Sequence, residues 1–228
     1  MKIGVIAALP GELKPLVKGW NRLPAAKGSG VQMWETQVGV NDVVAVCAGM
    51  GAAAARRAFV AAEFTGAMDV VLSVGWVGAL VEECRAGEVY EAFEVVDAQT
   101  GERFACSGGT QRLVTTVRVA DAPEKQRLAA SYRAAMVDME AAAVARLAAM
   151  RGIPVRSIKA VSDGVGAELP DLNPFIDVNG QMEMMKFLGY VALRPGFWGP
   201  LAELGRNSAL AAEALAVAVR GILSGSEG

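Results

Sequence analysis

Short continuous apolar runs alternate along this chain with stretches in which apolar residues recur every three or four positions. Residues 1–9 form a run of the first kind, as in a buried strand. Pro10-Gly11-Glu12 reads as a turn, and residues 13–17 as the start of a short helix. Residues 34–38 and 43–47 predict a hairpin around Gly39-Val40-Asn41-Asp42, whose Gly, Asn and Asp suit a turn. Ala48-Gly49-Met50-Gly51 leads into an alanine-rich helix ending near Phe64. Residues 69–74 are the next buried strand, and Gly75-Trp76-Val77-Gly78 a second glycine-rich turn. A strand region over 87–97, a turn at 100–103, a strand over 112–120 and a helix from 121–124 to about 132 follow.

The stretch from Val137 to Gly164 organises the rest. Alanine density and the spacing of Val144, Leu147 and Met150 predict a helix that begins at Glu140. Gly152 and Pro154 stop it. Residues 155–161 read as a strand that Ser162-Asp163-Gly164 ends. Beyond Gly164 come a proline-marked loop over 169–174, helical pieces rich in Met and aromatics, and a last amphipathic helix over 201–223. Residues 224–228 read as a frayed tail. Alternating strands and helices of this kind predict an α/β domain.

In open α/β sheets ligands gather outside the carboxyl ends of strands, so acids there are candidate chemistry. Asp163 ends one strand, Glu12 follows another, and Glu140 opens a helix. Each also has a plain structural reading, as a cap or as an acid at a helix N-terminus. The Gly49–Gly51 turn could hold an anion or a sugar oxygen, or could simply allow close strand–helix packing. Trp76 is either core packing or the wall of a pocket. The Met and aromatic set after residue 174 is core, a subunit interface, or an apolar patch for a greasy ligand or membrane surface.

Composition narrows the chemistry. Histidine is absent from the 228 residues, which excludes a Ser-His-Asp or Cys-His machine and any His-built metal site. Cys47, Cys84 and Cys106 are odd in number and widely spaced, which suggests a reducing compartment and no metal site. A net charge of −2 without a Lys/Arg block argues against nucleic acid as the main partner. No charge-free apolar run reaches the roughly 18 residues of a membrane span. Gly11, Glu12 and Lys14 interrupt the first apolar run too early for a secretory leader, so the expected location is cytoplasmic.

Three segments together resemble one family. Residues 1–12, Met-Lys-Ile-Gly-Val-Ile-Ala-Ala-Leu-Pro-Gly-Glu, resemble the opening of the methylthioadenosine/adenosylhomocysteine nucleosidases of the nucleoside phosphorylase superfamily. Val137-Asp-Met-Glu-Ala-Ala-Ala-Val resembles its ribose-binding signature, and Ala160-Val-Ser-Asp-Gly the strand end that carries its catalytic acid. Residues 113–140 and Arg194-Pro-Gly196 are also similar to the hopanoid-associated phosphorylases, or adenosylhopane nucleosidases.

The resemblance implies a single phosphorylase/hydrolase-like domain over 1–228, three layers (α-β-α) around a mixed sheet, with a divergent helical part from about 169. It implies hydrolysis of the N-glycosidic bond of a 5′-modified adenine nucleoside through an oxocarbenium-like sugar. Asp163 would protonate the departing purine at N7. A free carboxyl is ionised at neutral pH, so the site must keep this one neutral. Glu12 would hold and deprotonate the attacking water. Glu140 would accept the ribose hydroxyls while Met139 packs on the sugar. Gly51, Met50, Gly75, Trp76, Ser162 and Val119 complete the expected pocket, with base recognition through the backbone near Val119. The implied partners are a purine nucleoside and water, without cofactor or metal, in a homodimer or higher oligomer that associates with a membrane surface if the substrate is a hopanoid.

The family's phosphorylases typically place an arginine where Ser73 stands and a small hydroxyl residue where Trp76 stands. Both are missing, which favours water over phosphate. Phosphorolysis and a non-catalytic nucleoside-binding protein with Trp76 in the water's place are the competing readings.

Overall fold

One mixed sheet carries the molecule. The computed structural model describes residues 1–167 and 169–225. In chain order its elements are β1 (Lys2–Ala7), α1 (Pro10–Leu13), β2 (Asn21–Leu23), β3 (Gln32–Val38), β4 (Asn41–Cys47), α2 (Ala52–Glu63), β5 (Val70–Ala79), β6 (Val89–Asp97), β7 (Arg103–Ala105) and β8 (Gln111–Thr115). They continue with α3 (Ala122–Tyr132), β9 (Met136–Asp138), α4 (Ala141–Arg151), β10 (Val155–Asp163), α5 (Met184–Ala192) and α6 (Trp198–Ser224).

The predicted α/β class and the three layers follow from a period of two along the inner strands. Ile3, Val5 and Ala7 of β1 and Val43, Ala45 and Cys47 of β4 pack against Leu13, Leu215 and Val219 on the α1–α6 side. Ile6 of β1 and Val44 and Val46 of β4 point the other way, onto Ala55, Phe59 and Ala145 of α2 and α4. Alternate side chains thus feed two helical layers. Helix α6 is long and apolar enough to cross a membrane by length and composition. Here Ala211, Leu215, Ala216 and Val219 are buried in the core, and 33% of its most apolar stretch is buried in all.

The sheet runs β2-β3-β4-β1-β5 and then closes on itself. Strand β5 pairs with both β9 and β10, and β10-β6-β8-β9 completes a ring. One side of β5 changes neighbour along its length. Strand β1 accompanies it from Val70 to Ser73, and β9 takes over only at Gly78. The amides between have no strand partner on that side, and a cavity lies there.

Several elements differ from the sequence expectation. Pro10-Gly11-Glu12 lies in α1 rather than in a turn, with Pro10 in the first helical turn, where a missing N–H costs nothing. Gly75-Trp76-Val77-Gly78 is not a turn: β5 runs through it, paired residue by residue with β10. The strand predicted over 112–120 stops at Thr115, and β2 and β9 were not anticipated. Of the expected frayed tail, Ser224 is the last residue of α6, and residues 226–228 lie outside the described residues.

Candidate active site

Residues at or just beyond the ends of β1, β8, β9 and β10, with the middle of β5, line one cavity of about 260 Å³. It brings together Glu12, Met50, Trp76, Val119, Met139, Glu140, Ser162 and Asp163. Gly51 and Gly75 do not line it; each stands behind one of its acids.

Glu12 is buried and seated on backbone amides. Its Oε2 accepts from Ala8 N at 2.8 Å and Leu9 N at 2.7 Å, and its Oε1 accepts from Trp76 N at 2.8 Å. The Trp76 amide is free to do so because β5 lacks a neighbour there. Gly75 makes the seat possible. Its φ of +145° disfavours a side chain, and a Cβ would stand 2.8 Å from Glu12 Oε1. Burial pushes the Glu12 carboxyl above its ordinary range, against its amide bonds and the charge of Lys159.

Glu140 caps a helix other than its own. Its Oε1 accepts from Gly51 N, the N-cap of α2, at 2.6 Å, and its Oε2 from Met139 N at 3.2 Å. The glycine turn thus receives a carboxyl group of the protein itself. Burial, then the charge of Asp138 and more weakly that of Glu12, pushes Glu140 up to about 8. Asp138 caps α4 instead, its Oδ2 accepting from Ala141 N at 3.0 Å. The same Oδ2 pairs at 2.9 Å with the ammonium of Lys159, and the two side chains are essentially sealed from solvent. Lys159 Nζ also reaches Ser73 Oγ at 3.3 Å. The residue where an arginine is missing thus meets a cation from the next strand, committed to Asp138 beneath the cavity.

Asp163 does not stand alone. Its Oδ2 is 2.5 Å from Lys125 Nζ, and its Oδ1 accepts from Ser162 Oγ at 2.7 Å. It is one half of an ion pair. Lys125 rises from α3 with Leu128 on the same face, and both are buried. That three-residue spacing was the available sign that Lys125 faces inward. Asp138, Lys159 and Lys125 were all missed because a charged residue in an apolar or helical stretch looks alike whether it is paired inside or solvated.

Trp76 lines the cavity without filling it. A Cβ on Gly11 would lie 2.9 Å from its Cη2, so the indole reaches across to α1, while its rings pack on the α1–α6 core. The two readings of Trp76 are therefore both met. Among the described residues Trp76 is the aromatic that lines the cavity; on the β8 side Val119 offers backbone and a small side chain. That backbone is occupied. Val119 N donates to Asn173 Oδ1 at 2.8 Å, and Asn173 Nδ2 donates to Val119 O at 3.1 Å. Leu172, Met182 and Leu204 form an apolar flank at the C-terminal side. Among the described residues no cluster of acids and cysteines could hold a metal ion.

A family model described as phosphorylase superfamily matches residues 2–121 and 113–186. No curated protein matches by sequence. Solved structures share the fold at low identity. The apo 5′-methylthioadenosine nucleosidase of Arabidopsis thaliana is 19% identical at a TM-score of 0.75, covering 100% of this chain and 96% of that one. The 5′-methylthioadenosine/S-adenosylhomocysteine nucleosidase of S. pneumoniae, bound to a transition-state inhibitor, is 19% identical at 0.73 over 100% of both chains. Futalosine hydrolase of Helicobacter pylori is 14% identical at 0.74, over 99% of this chain and 98% of that one.

Proposed function

This chain belongs to the phosphorylase superfamily, and we propose that it is a nucleosidase, which hydrolyses the N-glycosidic bond of a 5′-modified adenine nucleoside. The observation that carries the reading is the seat of Glu12. Three amides that would otherwise be open to a phosphate oxygen are bonded to a carboxylate of the protein itself. A phosphate brought to that place would meet the charge of Glu12, with these three amides already taken. Water meets an acceptor instead, and burial raises the basicity of that acceptor.

In this reading Glu12 takes a proton from water as its oxygen bonds to C1′. Glu140 accepts from the ribose hydroxyls, and Met139 packs on the sugar face. Asp163 faces N7 of the departing purine. The neighbours of similar fold include enzymes named for methylthioadenosine, adenosylhomocysteine and futalosine, which agrees with a nucleoside carrying a variable 5′ group. The apolar flank of Leu172, Met182 and Leu204 favours a large hydrocarbon there, as in adenosylhopane, over a small thioether. Helix α5 has no buried residue, and its exposed Met184, Met185 and Leu188 suit a second copy of the chain or the membrane surface that holds such a substrate.

The test is product analysis. The protein is incubated with methylthioadenosine, and with an adenosine bearing a long alkyl 5′ group, with and without inorganic phosphate. Free adenine and free sugar at a phosphate-independent rate are expected, faster with the alkyl compound. Ribose 1-phosphate, or nucleoside binding without adenine release, overturns the proposal.

A further inference from the structure

Both oxygens of Asp163 are already engaged by donors, Ser162 Oγ at Oδ1 and Lys125 Nζ at Oδ2. The reading above needs a proton delivered to the purine, and the ammonium paired with this carboxyl carries one. Lys125 is the obvious holder. Its ammonium is 2.5 Å from Oδ2 and donates also to Gly164 O at 2.8 Å; its side chain is 4% exposed and borders the same cavity. The pair is built into the sheet. Strand β5 is bare beneath it at Gly78, where a Cβ would stand 3.0 Å from Asp163 Oδ2 and 3.1 Å from Lys125 Cε.

We infer that Lys125 is a positioning residue for Asp163 and the source of the proton that Asp163 passes to the leaving base. The inference rests on the hydrolytic reading of the site. As the C1′–N9 bond breaks, its electron pair goes to the purine. A proton moves from Lys125 Nζ to the Asp163 carboxylate, and Asp163 gives a proton to N7. The base leaves neutral, Asp163 is again a carboxylate, and Lys125 is an amine. Water loses its proton to Glu12 as its oxygen bonds to C1′. When products leave, that proton returns to Lys125 through solvent, and the protein is restored.

Arginine and methionine at this position separate a proton source from a simple countercharge, because a guanidinium keeps the pairing but does not give up a proton. Adenine release is measured for the intact protein, Lys125→Met and Lys125→Arg, with folding checked by near-ultraviolet circular dichroism. Both variants should lose about 10²-fold or more in kcat, and Lys125→Arg should keep KM within about threefold. As a measurement independent of how a guanidinium fits over Gly78, Lys125→Ala supplied with methylamine should regain turnover, and supplied with guanidinium should not. A Lys125→Arg protein with the intact protein's kcat, or equal recovery with the two additives, overturns the inference while leaving hydrolysis standing. Absence of adenine release from the intact protein defeats the hydrolytic reading instead.

Discussion

Glu12 Oε1 accepts the backbone hydrogen of Trp76 at 2.8 Å, across 64 residues of sequence, where β5 has lost one neighbouring strand and not yet gained the next. A parallel sheet normally consumes every inner amide, so an amide left over there is available for other work. In this chain it orients a carboxylate. Glu12→Gln keeps the length, but its amide oxygen can accept on only one side, so its NH₂ group is set against Trp76 N if the oxygen stays with Ala8 N and Leu9 N. The expected result is adenine release lowered by about 10²-fold or more and stability lowered by roughly 1–3 kcal/mol, with nucleoside affinity little changed. Turnover assays, urea unfolding and equilibrium binding check the three parts.

Gly75 is the partner of that seat. Gly75→Ala forces an L side chain into a φ of +145° and places a methyl against Glu12 Oε1. A stability loss of about 1–3 kcal/mol is expected from the backbone alone. Because Glu12 must move, turnover should fall with it. Urea unfolding alongside an adenine-release assay measures both, and a variant of full activity rules out the seat as drawn.

Glu140 predicts how stability depends on pH. Its ordinary value is 4.5, and in the fold it is pushed up to about 8. Between these values the folded chain holds a proton that the unfolded chain has released. Its contribution therefore makes stability fall as pH rises through that window and level off above it. Glu140→Gln removes this component. Urea unfolding at a series of pH values should show a steeper decline for the parent than for the variant, and superimposable slopes contradict the expectation.

The two bonds between Asn173 and Val119 give a prediction on affinity. An adenine edge presents an acceptor at N1 beside a donor at N6, the same pair of roles that the Asn173 amide fills against Val119 N and O. Asn173→Ala leaves that backbone unoccupied. Two modest hydrogen bonds no longer need displacing, so KM for an adenine nucleoside should fall by roughly fivefold with kcat little changed. Steady-state kinetics checks this, and a raised KM means that Asn173 supports the bound base instead of standing in its place.

How far the site could be read in advance depended on the kind of residue. Strand ends bounded by Gly or Asp were legible, since a run such as 155–161 has few other ways to fold, and Glu140 and Asp163 came with them. Helix α2 was legible from alanine and the glycine turn before it. The passage through Gly75-Trp76-Val77-Gly78 was not, because two glycines locally signal a turn, and only the partner strand β10 shows that the chain stays extended. Pairings at long range were out of reach for the same reason. Nothing local to Lys125 points to Asp163, and nothing local to Gly51 points to Glu140, 89 residues away.

The closure of the sheet bears on how this protein behaves when crowded. Among the described residues the strands with a single neighbour are β2 and β7, three residues each. An extended foreign segment finds these short edges and the end of β3 beyond Glu35 that β2 does not cover, little on which to seed a stack of strands. Fibril growth from the native state is thereby starved of a template.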